Sequence, residues 1–101
     1  MKVPLCAVAD IPDEGTKDVE FFGRPVLVYR VGGQPRAIAN VCLHLGGPLQ
    51  REGDTFVCPW HGAKYACADG RRIDGPVRQD ARLMTLPTRV EDGILLYVYG
   101  E

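Results

Sequence analysis

The chain has 101 residues, of which 46% are hydrophobic and 25% are charged, and its net charge is −1. These values are typical of one small globular domain. The balanced charge and the lack of any apolar run of about 18 residues argue against a nucleic-acid-binding domain and a transmembrane helix. We therefore expect a cytoplasmic protein with no nucleic-acid partner and no membrane partner.

Short apolar runs separated by Gly and Pro predict β-strands along the chain. The predicted strands cover residues 2–9, 17–22, 25–31, 34–39, 55–58, 63–66, 86–91 and 94–99. Two pairs of these strands form hairpins, because the turn sequences Gly32-Gly33 and Asp92-Gly93 join them. No segment keeps an apolar period of 3.6 residues, so we expect an all-β fold with almost no helix.

The middle of the chain differs from its ends. Residues 41–80 are rich in Gly and Pro, and the two strands predicted there are very short. Such strands bury little apolar surface, so we expect another source of stability in this region. The prediction is a single domain over 1–101. Its basal β part comprises 1–40 and 81–101, and its loop-rich subdomain lies at about 41–80.

Two pairs of metal-binding residue types stand out in this subdomain. Cys42 and His44 form the first pair, and Cys58 and His61 form the second. The chain has only four cysteines and two histidines, yet each histidine lies within three residues of a cysteine. Thiolate and imidazole ligands suit either one tetrahedral zinc ion or a two-iron cluster with two cysteines and two histidines. The spacing alone leaves both metal centres open.

Glycines follow each pair of candidate ligands. Gly46 and Gly47 follow the first pair, and Gly62 follows the second. Without a Cβ, these residues let the backbone curl close to a metal centre and direct N–H groups toward it.

The segments Cys42-Leu-His-Leu-Gly-Gly-Pro48 and Cys58-Pro-Trp-His-Gly-Ala-Lys-Tyr65 strongly resemble the two cluster-binding boxes of Rieske proteins. The chain is most similar to the stand-alone Rieske ferredoxins of bacterial ring-hydroxylating oxygenases. Gly75-Pro76 follows where that family has a proline loop over the cluster, although the spacer between the boxes is rather short. The resemblance implies the Rieske fold, an antiparallel β-sandwich base with a small loop-rich cluster-binding subdomain.

The same resemblance implies a ligand set. It assigns one Rieske-type [2Fe–2S] cluster to the chain, with Cys42 and Cys58 on the buried iron and His44 and His61 on the outer iron. Cys6 and Cys67 lie in or next to predicted strands, and we interpret them as buried thiols without a role in the metal centre.

Residues around the ligands also match the family pattern. Leu45, Trp60 and Pro76 are expected to cover the cluster. Gly47 and Trp60 stand where the Rieske proteins of cytochrome bc complexes carry two further, disulfide-bonded cysteines. Tyr65 matches a tyrosine of the high-potential class, whose hydroxyl raises the reduction potential if it reaches a cysteine sulfur.

The function implied by the resemblance is that of a monomeric electron carrier. It would pass single electrons from an NAD(P)H-dependent ferredoxin reductase to a terminal ring-hydroxylating oxygenase in aromatic hydrocarbon catabolism. The chain itself is not expected to be an enzyme, because a mononuclear oxygenase iron needs two further histidines. Two alternatives stay open: a small Rieske-like subunit of an assimilatory nitrite reductase, and a zinc-stabilised binding module without redox activity.

Overall fold

The computed structural model describes residues 1–40, 49–59, 62–75 and 82–99. Within these ranges the strands are β1 (Lys2–Ala7), β2 (Lys17–Phe21), β3 (Arg24–Val31), β4 (Gln34–Ala39), β5 (Gln50–Glu52), β6 (Thr55–Val57), β7 (Lys64–Ala66), β8 (Arg72–Asp74), β9 (Thr88–Glu91) and β10 (Ile94–Val98). A single turn of 3₁₀ helix covers Val8–Asp10. All strand pairs in these ranges are antiparallel, which confirms the predicted all-β antiparallel fold.

Two of the sheets form what we call the basal region. One has the strand order β1-β10-β9 and the other has the order β2-β3-β4. The Gly32-Gly33 and Asp92-Gly93 hairpins are present as predicted, joining β3 to β4 and β9 to β10. The described ranges contain no helix that could cross a membrane.

The third sheet, which we call the small sheet, has the order β5-β6-β7-β8. Each of its strands has only three residues. β6 and β7 were predicted, whereas β5 and β8 were not. Their sequences, Gln-Arg-Glu and Arg-Ile-Asp, lack apolar alternation, so their pairing with β6 and β7 places them in the sheet.

Strand β3 lies between two cores, because successive side chains of a strand point to opposite faces. Val26 and Val28 pack with Leu95 in the core between the two basal sheets. Leu27 and Tyr29 face the other way and belong to a core that also contains residues of the small sheet. All four β3 residues are buried, so this strand connects the basal region to the part of the chain that carries the candidate ligands.

Candidate metal centre

Cys58 is the candidate ligand that the described residues contain. It directly follows β6, and it is fully buried in the core shared with β3. Its N–H donates to the carbonyl of Ala63 at 2.8 Å, and its own carbonyl accepts the N–H of Gly62 at 2.8 Å. These two hydrogen bonds close the turn between β6 and β7 and fix the backbone that carries the thiol.

Two glycines shape this turn and the segment that packs on it. Gly62 has φ +72°, a left-handed conformation that favours glycine at the end of the turn. Gly75 has φ +106°, and a Cβ at Gly75 would overlap the Cα of Ala63. Gly75, the last described residue before the predicted proline loop, is therefore in direct contact with Ala63 of the second box.

The residues that flank the first box are held together. The side-chain Oδ1 of Asn40 accepts the N–H of Leu49 at 2.8 Å, and the N–H of Asn40 donates to the carbonyl of Pro25 at 3.0 Å. Leu49 is itself buried in the core that contains Cys58. Asn40 and Leu49, which flank the first box in sequence, are thus held to each other, and Leu49 directly precedes β5. Asn40 was not among the predicted site residues, although a polar residue at the end of a strand is a recognisable turn signal.

Tyr65 and Tyr29 are fully buried aromatic residues in the same core as Cys58. The Tyr29 hydroxyl donates to the carbonyl of Cys67 at 2.9 Å, which ties β3 to the end of β7. Burial raises the pKa of Tyr29 to about 12, with a smaller contribution from the neighbouring Cys67. The burial of Tyr65 beside Cys58 agrees with a position close to the metal centre, whereas its predicted bond to a cysteine sulfur stays a prediction.

The two cysteines assigned no ligand role are both free thiols. Cys67 is buried as predicted, whereas Cys6 is only partly buried. Burial raises the pKa of both thiols, so both are protonated at neutral pH.

Most of the predicted site lies outside the described residues, so the ligand set stays a prediction. The residues concerned are Cys42, His44, His61, Leu45, Gly47, Trp60 and Pro76. Within the described ranges no group of three His, Cys, Asp or Glu side chains could hold a metal ion. Two thiols and two imidazoles are a donor set that fits a [2Fe–2S] cluster. Cys58, the member of this set among the described residues, is a buried thiol on a fixed turn, which suits a ligand of the buried iron.

A family model described as "Rieske [2Fe-2S] domain" matches residues 1–88 of the chain. The chain is also similar to the ferredoxin CarAc of Metapseudomonas resinovorans. The two are 31% identical over 101 residues, which cover 96% of this chain and 92% of that protein. In structure, the chain is similar to the Sphingomonas yanoikuyae B1 ferredoxin, with a TM-score of 0.84 and 26% identity. That match covers 99% of this chain and 100% of the ferredoxin.

Some larger proteins contain a similar segment. The oxygenase component of chloroacetanilide N-alkylformylase from Rhizorhabdus wittichii is 37% identical over 91 residues, which cover 82% of this chain. The chain spans 26% of that protein and 29% of the terminal oxygenase component CarAa of a Sphingomonas carbazole 1,9a-dioxygenase. The chain therefore corresponds to about a quarter of these two relatives and to nearly the whole length of the ferredoxins.

Proposed function

The chain belongs to the family of Rieske [2Fe-2S] domains, and from this premise we propose that it is the electron-carrying ferredoxin of a multicomponent ring-hydroxylating oxygenase. An NAD(P)H-dependent reductase would donate the electron, and a terminal oxygenase would accept it. The family also favours a [2Fe–2S] cluster over the zinc ion that the ligand spacing left open.

The observation that carries this proposal is the match to stand-alone ferredoxins over nearly their whole length. The chain covers 92% of the ferredoxin CarAc at 31% identity and 100% of the Sphingomonas yanoikuyae B1 ferredoxin. The chain has two histidines, and the proposed cluster uses both as ligands. The mononuclear iron of a non-haem oxygenase needs two histidines and a carboxylate. The 101 residues therefore contain no further histidine pair for such an iron, and the proposal assigns oxidation of the substrate to a terminal oxygenase.

The proposed cluster supplies reversible one-electron chemistry, and the chain supplies its surroundings. Cys58 would hold the buried iron from the closed turn after β6, together with Cys42. His44 and His61 would hold the outer iron. Tyr65 and the apolar core around Cys58 exclude water from the thiolate side, which lowers the local dielectric constant and limits rearrangement on reduction. We propose that the carrier is a cytoplasmic monomer with small, short-lived interfaces, under about 1,200 Å².

A reconstituted electron-transfer assay tests this function. The purified protein is mixed with NADH, the reductase of a carbazole or naphthalene dioxygenase system and the matching terminal oxygenase, and product formation is measured. We expect product only when the protein is present, and we expect the protein to elute alone in size-exclusion chromatography. Reduction without onward transfer to the oxygenase, together with stable co-elution with a large reductase subunit, would favour the nitrite reductase alternative.

Cys58 and Cys67 provide a matched pair of variants for this assay. Both are fully buried and belong to the same core, but only Cys58 is a proposed ligand. Cys58→Ser is expected to lose the cluster and all electron transfer. Cys67→Ser is expected to keep the visible spectrum and most of the activity. Equal loss in both variants would show that the effect comes from the core and not from ligation.

A further inference from the structure

Arg51 connects the small sheet to the basal region through its guanidinium group. Its Nη1 donates to the carbonyl of Gly15 and its Nη2 donates to the carbonyl of Arg30, both at 2.9 Å. Its Nε donates to the carbonyl of Gly53, also at 2.9 Å. One side chain on β5 therefore bonds to the loop before β2, to the end of β3 and to its own hairpin turn.

The surroundings of this cation are unusual for a surface arginine. Arg51 is only partly exposed, and within the described ranges no carboxylate forms an ion pair with it. Its Cζ lies 5.7 Å from the centre of the Tyr29 ring. A guanidinium is a rigid planar fork, so three bonds to backbone carbonyls fix the relative positions of three chain segments.

Arg51 is also close to both ligand boxes along the backbone. It lies opposite Phe56 in the β5–β6 pair, and Cys58 follows two residues later on the same chain. The Phe56 ring contacts the Tyr29 ring edge to face at 4.8 Å. Leu49, which directly follows the first box in sequence, is two residues before Arg51. A shift of Arg51 would therefore displace Leu49 and the strand β6 that leads to Cys58.

We propose that Arg51 is a positioning residue for electron transfer, which holds the small sheet in one orientation on the basal strands. This inference rests on the proposed function. Fast electron transfer requires ligands that move little between the two oxidation states, and three-residue strands do not provide that rigidity by themselves. The three carbonyl bonds of Arg51 supply it from outside the metal centre.

Two substitutions of Arg51 test this role, and Arg36 provides the control. Arg51→Lys keeps the positive charge but cannot make the three bonds, and Arg51→Met removes both. Among the described residues, Arg36 donates across the same interface to the carbonyl of Ala68 at 2.8 Å, so Arg36→Lys is the matched control. Three quantities are measured in each protein. They are the rate at which a thiol reagent labels Cys67, followed by mass spectrometry, the midpoint potential, and the linewidth of the electron paramagnetic resonance signal of the reduced state.

We expect the Arg51→Lys protein to retain its iron and colour. Its Cys67 thiol should be labelled at least about tenfold faster, and the electron paramagnetic resonance signal of its reduced state should be broader. Arg36→Lys should change the labelling rate less than about twofold. Arg51 also hydrogen-bonds the Cys67 thiol and lowers its pKa, so faster labelling supports the proposal only together with the broadened signal, which does not depend on access to Cys67. Because lysine keeps the positive charge of Arg51, a purely electrostatic cause of the broadening is excluded.

Wild-type labelling rate, linewidth and potential in Arg51→Lys would overturn the proposal, as would equal changes in Arg36→Lys. If Arg51→Met does not fold, Arg51→Lys decides the outcome alone. The labelling also separates this inference from the proposed function. Labelling of Cys42 and Cys58 in the wild-type protein would contradict the cluster itself, whereas unchanged Cys67 labelling in Arg51→Lys would contradict only the role of Arg51.

Discussion

The basal region and the small sheet are built on different physical principles. In the basal region, β3 has eight residues and pairs along its length with β2 and β4. In the small sheet every strand has three residues, and each pair of strands has at most three residue pairs. Backbone pairing and local turns are enough to specify the basal region. The small sheet depends on contacts that its own strands do not make.

Some of those contacts are present in the described residues. The core around Cys58 includes Leu27 and Ile38 from basal strands, and Tyr29 and Arg51 form hydrogen bonds across the boundary between the two regions. The remaining contribution is assigned to the proposed cluster, because metal binding to a folded site adds to folding free energy. Removal of any of these contributions should affect the small sheet before the basal region.

The largest effect is expected from Gly75→Ala. The new methyl group would overlap the backbone of Ala63 in the second box, and the left-handed φ adds strain. We expect nearly complete loss of bound iron while the basal strands remain folded, measured by iron content and circular dichroism. Gly32→Ala is the control, because Gly32 lies in the basal β3–β4 turn and also has positive φ but open space at its Cβ. Gly32→Ala should lower stability by only about 1 kcal/mol. Equal iron content in both variants would contradict the contact between Gly75 and Ala63.

The next largest effect is expected from removal of the metal, which should destabilise the small sheet much more than the basal region. After chelation, we expect the amides of Cys58 and Ala66, both hydrogen-bonded in and around the small sheet, to exchange with solvent about a hundredfold faster. The amides of Val28 and Ile38 in the basal strands should change by less than about threefold. Hydrogen exchange with mass spectrometry of the same sample with and without metal makes the comparison. Uniform acceleration across the chain would show that the two regions unfold together.

Tyr29→Phe should have an intermediate effect, which is a decrease in the free energy of unfolding. It removes the buried hydrogen bond to the Cys67 carbonyl and leaves that acceptor unsatisfied, at a cost of about 1–2 kcal/mol at pH 8. Because the pKa of Tyr29 is about 12 in the folded state and near 10 when unfolded, its stabilisation is present below pH 10. It is lost as the pH rises from about 10 through 12. Urea unfolding at pH 8 and pH 11.5 should therefore show that the difference in the free energy of unfolding between wild type and variant is smaller at the higher pH. A constant difference would contradict the assigned pKa shift.

The smallest effect is expected at an exposed ion pair of the basal region. The Glu91 carboxylate lies 2.9 Å from Lys2 Nζ and 3.3 Å from Arg89 Nη1. Hydrogen bonds from Lys2 and then Arg89 lower the pKa of Glu91, so its contribution is present above the ordinary carboxyl pKa and is lost as the pH falls through the lowered value. Exposed pairs contribute little. Glu91→Gln should leave the iron content unchanged and shift the thermal midpoint only slightly at pH 7. A loss of iron in this variant would show that the metal centre is sensitive to the basal surface.

The same division explains what the sequence could predict. The hairpins of the basal region follow from turn residues and alternation, which are local signals, and both were predicted correctly. The turn at Phe22-Gly23 was missed, because a phenylalanine with φ +52° is unusual in a hairpin turn. Strands β5 and β8 and the bonds of Arg51 were missed for another reason. They depend on contacts between segments distant in sequence, which no local pattern records.

The candidate site divides in the same way. The ligand types and their grouping are visible in the sequence, because metal chemistry requires those side chains at short spacing. The buried position of Cys58 and the contact of Gly75 with Ala63 depend on packing, and they became visible only with the structure.

The central claim is that two cysteines and two histidines hold one two-iron cluster, and histidine labelling tests it most directly. The chain has only His44 and His61, so protein grown with ¹⁵N-histidine reports on those two residues alone. We predict that pulsed electron paramagnetic resonance of the reduced protein shows two coupled histidine nitrogens, whose frequencies change on ¹⁵N substitution. A colourless protein that contains zinc, or an iron signal without histidine nitrogen coupling, would contradict the account.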